Sequence, residues 1–173
     1  MNKTLLTLLT LCSLAPTQAV KTDNATYLRV AAVASAAVTP TTLALSAPGL
    51  TAVIPNEYLY KRDLKVRAYD LDAFLKARIP NVEQLAAQGA TVVFWCIDGY
   101  APKAKLADIL GKGGLIAVGD ADAPAGVVWP STPYKDKVLG TEQIGNYLVW
   151  RTESFPAKPQ PWGLASIHVV LPR

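Results

Sequence analysis

Cysteine and histidine are scarce in this sequence: it holds two cysteines, Cys12 and Cys96, and a single histidine, His168. It has no Cys-x-x-Cys-His run, which excludes a covalently attached c-type haem. A zinc site of the usual ligand count would have to recruit several carboxylates beside Cys96 and His168. Charge is thin as well. Charged residues make up 17% of the chain and leave a net charge of +4, spread without a long basic run, so a nucleic-acid partner has no electrostatic footprint.

The N-terminus has the organisation of a secretory leader. Lys3 gives a positive start, Leu5–Leu14 an apolar core too short to span a bilayer, Pro16 a break, and Thr17-Gln18-Ala19 small residues at a cleavage site. Cleavage after Ala19 places the protein in the periplasm or outside the cell, with no transmembrane segment left. Cys12 follows Thr10-Leu11 rather than a small residue, so it does not read as a lipid-attachment site and departs with the leader. Cys96 then stands alone, and no intramolecular disulfide can form in a compartment that would permit one. The expected organisation is residues 1–19 as signal peptide, 20–40 as a leader into the domain, and 41–173 as one domain. That length is enough to bury roughly two-thirds of the unfolded surface without staples.

What is present centres on Thr91–Tyr100, TVVFWCIDGY. Val92–Ile97 is an unbroken apolar run rich in β-branched and aromatic residues, the pattern of a strand inside a sheet. Asp98-Gly99 then forces a turn. Two residues apart on an extended chain, Cys96 and Asp98 would point to one side, close to Tyr100, which makes these three the first candidates for a site. The plainer reading treats Cys96 as a small core hydrophobe, Asp98-Gly99 as a hairpin turn and Tyr100 as a packing aromatic.

Elsewhere the chain alternates short strands and helices. Leu28–Val38 is alanine-rich and reads as helix or loop, Thr41–Ser46 as a short strand, and Leu50–Tyr60 as a strand that turns at Pro55-Asn56. Lys61–Ala68 alternates basic and apolar residues as a half-exposed strand does. Its basic side chains with Tyr58 and Tyr60 make either an anion patch or, more simply, a solvated face. Asp70–Ile79 is an amphipathic helix capped by Asp70 and stopped by Pro80, and Val82–Gln88 a second short helix ending at Gly89. Lys103–Leu106 reads as an edge strand, Leu106–Leu110 as a helical turn and Leu115–Gly119 as a buried strand. Asp120–Gly126 offers too few oxygen ligands for calcium and reads as a turn. Val127–Glu142 is a long surface excursion that can line a site. Tyr147–Trp150 and Leu164–Val170 are strands flanking the proline-rich Phe155–Gly163, and His168 is expected to be structural.

In order, these features are an Ala-Pro-Gly turn, Arg67-Ala68-Tyr69 before a Leu-rich helix, and a buried strand into Asp98-Gly99-Tyr100. An acidic Asp120–Pro124 loop, Tyr147-Leu148-Val149-Trp150 and Pro161-Trp162 follow. Over roughly Leu43 to Val170 the chain resembles the sulfite-oxidase-type molybdopterin-binding domain in its small exported relatives. The resemblance implies an α+β fold, a mixed β-sheet with a few short helices. In that family's enzymes a pterin dithiolene and a cysteine thiolate before the Leu-rich helix hold molybdenum. Leu50–Ala68 contains no cysteine here.

Two functions follow. The first is an exported accessory protein that binds a ligand or a redox partner such as a cytochrome, without molybdenum, through Cys96, Asp98, Tyr100 and the Val127–Glu142 loop. The alternative is a minimal molybdenum-cofactor oxidoreductase in which Cys96 ligates the metal and Asp98 or Tyr100 handles protons. A cysteine hydrolase would need His168 beside Cys96 as its base.

Overall fold

The computed structural model describes residues 31–151 and 158–172. The expected signal peptide, the segment up to residue 30 and the first part of the proline-rich loop lie outside the described residues. Within them the chain is α+β, and its sheet component resolves into two four-stranded sheets and a hairpin, antiparallel at every pairing.

One sheet runs β1-β10-β4-β5, from Ala34–Ala37 (β1), Leu164–Val170 (β10), Thr91–Cys96 (β4) and Lys103–Lys105 (β5). The other runs β2-β3-β6-β9, from Leu50–Glu57 (β2), Arg62–Asp70 (β3), Gly114–Asp120 (β6) and Tyr147–Trp150 (β9). The hairpin is Thr132–Tyr134 (β7) with Lys137–Leu139 (β8). The organising strand β4 does sit inside its sheet, between β10 and the edge strand β5.

Two cores flank the second sheet. Period-two alternation sends Leu115, Ala117, Tyr147 and Val149 into one, with Ile54, Leu64, Val66 and Trp129. It sends Ile116, Leu148 and Trp150 into the other, where they meet Val92 and Phe94 of β4 and Ile167 and Val169 of β10. The helix Leu71–Arg78 (α2) adds Leu71, Phe74 and Leu75 to that second core, all fully buried. The Asp70 side chain accepts a hydrogen bond from the Ala73 amide at 3.0 Å, the expected cap. The helix Val82–Ala87 (α3) ends before Gly89, which takes φ +76°.

Three expectations need correction. Ala34–Ala37 is a strand rather than helix or loop, because pairing with β10 supplies the ladder bonds that alanine's helix preference alone cannot outweigh. Thr41–Ser46 is not a strand: Pro40–Ala44 forms a helix (α1), with Pro40 at its start and a reciprocal Thr39–Thr42 capping box. Pro55-Asn56 does not end β2. It forms a bulge in which three steps on β2, Ile54 to Glu57, match two on β3, Leu64 to Arg62, with Asn56 at φ 46°. The bulge reverses the strand's parity, so Glu57 points inward where regular alternation would turn it to solvent.

Candidate functional site

Three pieces of chain meet at one end of the fold around a cleft of about 620 Å³. The first is the turn after β4. There Gly99 takes φ +85°, the Asp98 carboxylate accepts the Tyr100 amide at 2.9 Å, and the Cys96 amide donates to the Tyr100 carbonyl at 2.9 Å. The second is the β7–β8 hairpin, which carries Tyr134 and Lys135 at its tip. The third is the segment from Lys158 to Trp162. It is fastened to β9 by the Trp150 indole N–H donating to the Pro159 carbonyl at 2.8 Å and the Leu148 amide donating to Pro161 at 3.0 Å. Tyr58, from the β2–β3 turn, completes the wall.

The walls are aromatic. Tyr134 packs edge-on against Trp162 with centroids 4.8 Å apart, and Tyr58 meets Tyr134 at 6.3 Å. Tyr100 stands 60% exposed at the rim. Aromatic rings continue inward, from Trp162 to Tyr147 at 6.4 Å and from Tyr147 to Trp129 at 6.1 Å. A smaller cavity of about 370 Å³ adjoins the cleft and shares Asp98, Tyr134, Lys135 and Trp162 with it.

Behind this wall lies a polar cluster. Glu57, buried by the bulge and 0% exposed, accepts hydrogen bonds from the Leu59 amide at 2.9 Å, the Tyr60 amide at 2.8 Å, Gln160 Nε2 at 3.0 Å and the Tyr147 hydroxyl. Because a carboxylate only accepts, these contacts fix the orientation of the Gln160 amide: Nε2 faces Glu57 and Tyr147, leaving Oε1 on the other side. Gln160 lines the cleft and is 8% exposed, and its Oε1 has no hydrogen-bond partner among the described residues. Burial, followed by the Glu57 charge, drives the Tyr147 phenol well above its ordinary value. Burial, then Asp120 and Glu57, does the same to Tyr60.

Of the residues expected at the site, Asp98 and Tyr100 line the cleft and Cys96 does not. The strand ends at Cys96, so the two-residue alternation that would align Cys96 with Asp98 stops there. Cys96 is 1% exposed, with its thiol 3.9 Å from the Phe94 carbonyl, and burial followed by the Asp98 charge pushes the thiol up to about 12. Cys96 is thus enclosed and set off from the cleft lining, and no group of three or more His, Cys, Asp or Glu side chains among the described residues is placed to hold a metal ion.

His168 lies opposite Val93 in the β4–β10 ladder, three residues from Cys96 and roughly 10 Å along the strand. It packs edge-on against Trp95 on the other face, with Nε2 2.8 Å from Ser166 Oγ, so it cannot serve Cys96 as a base. The Val127–Glu142 stretch is more than a surface excursion: it contains the hairpin and buries Trp129, whose indole donates to the Gly145 carbonyl at 2.7 Å. The basic residues at Lys61, Arg62 and Lys65 are divided among separate contacts. Arg62 pairs with the buried Asp120, Lys65 lies 3.4 Å from Asp122, and Lys61 sits over the Tyr58 ring at 4.1 Å. Tyr134 and Lys135 bring part of the Val127–Glu142 loop to the cleft, as expected of it, whereas Glu57, Tyr147, Gln160 and Trp162 were not singled out as site residues. The Pro55-Asn56 pair before Glu57, read as a turn, is the bulge that turns Glu57 inward.

No helix of the described residues is long and apolar enough to cross a membrane. No protein-family model, curated protein or solved structure matches this chain.

Proposed function

We propose that this chain is a ligand-binding accessory protein, and that the aromatic cleft between the β4–β5 turn, the β7–β8 hairpin and the Lys158–Trp162 segment is its binding site. The observation that carries this reading is the cleft itself, a cavity of about 620 Å³ walled by Tyr58, Tyr100, Tyr134 and Trp162 with Gln160 among its lining residues. The aromatic walls supply the apolar area that such pockets use for affinity, and the few polar groups fix orientation.

Together with the leader sequence and the sulfite-oxidase-type resemblance, this reading makes the protein an exported accessory component of a redox system. Its partner would be a redox protein such as a cytochrome. The molybdenum alternative requires a thiol open to the cofactor, and the 1% exposure of Cys96 speaks against it.

A library of aromatic fragments, titrated at millimolar concentration and followed by amide chemical shifts, tests the site. Binders should move the resonances of Asp98, Tyr100, Tyr134 and Trp162. Shifts confined to other surfaces, or none at all, refute the reading. Stoichiometric molybdenum in protein exported by a cofactor-producing host, lost in Cys96→Ser, would replace it with the oxidoreductase.

A further inference from the structure

Charge around the cleft is lopsided. Among the described residues, Lys103 from β5, Lys135 from the hairpin tip and Lys158 from the proline-rich segment line it, against one carboxylate, Asp98. No ion pair among the described residues engages any of the three lysines. Two of them are instead held by rings: Lys135 Nζ lies 5.4 Å from the Tyr134 centroid and Lys158 Nζ 4.9 Å from that of Trp150. Asp98 is engaged by the Tyr100 amide, which offsets part of its charge. The lysines come from three separate chain segments, so no single strand's alternation brings them together.

From this we infer that the cleft selects a flat aromatic anion: a ring system stacked among Tyr100, Tyr134 and Trp162, with a carboxylate or sulfonate turned to Lys103, Lys135 and Lys158. The inference rests on the binding reading of the cleft and adds the ligand's charge and shape. Recognition divides into an apolar part, insensitive to salt, and an electrostatic part that salt screens, because Lys103 and Lys135 are exposed and Lys158 is only half-buried.

Three probes of matched ring and different charge separate the two parts: 2-naphthoate, 2-naphthamide and 2-naphthylmethylammonium, titrated by calorimetry and by amide shifts at low ionic strength. Naphthoate should bind about tenfold more tightly than the amide, and the ammonium more weakly than either. The advantage of the anion should shrink severalfold at about 0.5 M salt. The triple variant Lys103→Gln, Lys135→Gln, Lys158→Gln should bring naphthoate down to the affinity of the amide. Asp98→Asn keeps the acceptor for the Tyr100 amide and should tighten naphthoate, so the inference does not depend on one variant folding. Lys76→Gln, which breaks an ion pair with Glu83 on α2 and α3, should change nothing. Equal binding of the three probes at the cleft, or preference for the ammonium, overturns the charge selection while leaving the binding site in place. Absence of cleft shifts with every probe overturns both.

Discussion

Removing one oxygen from the buried cluster tests whether it holds the cleft wall in place. Tyr147 is 0% exposed, and its hydroxyl donates to the Glu57 carboxylate and accepts from Gln160 Nε2 at 3.0 Å. Tyr147→Phe deletes both contacts and leaves Glu57 three donors of its four. A hydrogen bond to a charged, buried acceptor is worth roughly 1.5–3 kcal/mol, and Gln160 retains Glu57, so its lost second contact adds little. The expected loss is about 2 kcal/mol by urea unfolding at neutral pH, with an unchanged dependence on denaturant, or a melting point lower by roughly 4–8 °C. Tyr60→Phe is the matched control. Its hydroxyl donates to the neutral Pro130 carbonyl at 2.7 Å, so its removal should cost about 1 kcal/mol. A Tyr147→Phe protein within about 0.5 kcal/mol of the parent, or less affected than Tyr60→Phe, would refute the account of the cluster as a charge-centred support.

Other expectations follow from single contacts. A Cβ at Gly114 would lie 2.7 Å from Leu71 Cδ2 and 2.9 Å from Trp150 Cζ3, so Gly114→Ala should destabilise by about 1–3 kcal/mol in the same urea assay. Tyr100→Ala should leave stability within about 0.5 kcal/mol, since the ring is 60% exposed, yet weaken aromatic fragments about fivefold by calorimetry. Native Cys96 should resist a thiol reagent at pH 8 and react only when denaturant is added; rapid labelling would contradict its enclosure. Cys96, Tyr60 and Tyr147 all hold their protons more tightly when folded than their ordinary values of 9.0 for the thiol and 10.0 for the phenols. Their stabilisation is therefore complete below those values and declines as the pH rises from them toward the folded values, about 12 for Cys96. Unfolding free energy measured from pH 8 to 11 should fall at the alkaline end, and a flat profile would contradict the burial of these groups.

Where one side chain's pattern decided local structure, the sequence was a good guide. Asp70 at the cap, Leu71, Phe74 and Leu75 on one face and Pro80 beyond the end specify α2 through contacts within a few residues. The apolar runs of β4, β6, β9 and β10 specify buried strands in the same way. Ala34–Ala37 misled because a strand made of small residues owes its state to its partner, and the partner β10 lies more than a hundred residues away. Thr41–Ser46 misled because its alternation reads as a strand, whereas Pro40 in the first turn and the Thr39–Thr42 capping box start a helix there.

The site failed differently. Asp98 and Tyr100 were reachable from the turn that carries them, but the tie of Cys96 to Asp98 assumed a strand that had already ended. Glu57 shows the same limit from the other side. In an alternating strand a glutamate is read as facing water, and only the extra residue of the Pro55-Asn56 bulge turns it inward. Once it is there, its charge requires donors. Tyr147, Gln160 and two backbone amides supply them from three separate segments, and in doing so aim the spare carbonyl of Gln160 away from Glu57. A local count that alters one strand's parity thus sets the polarity of a wall built from residues distant in sequence, and no windowed reading of the chain contains that step.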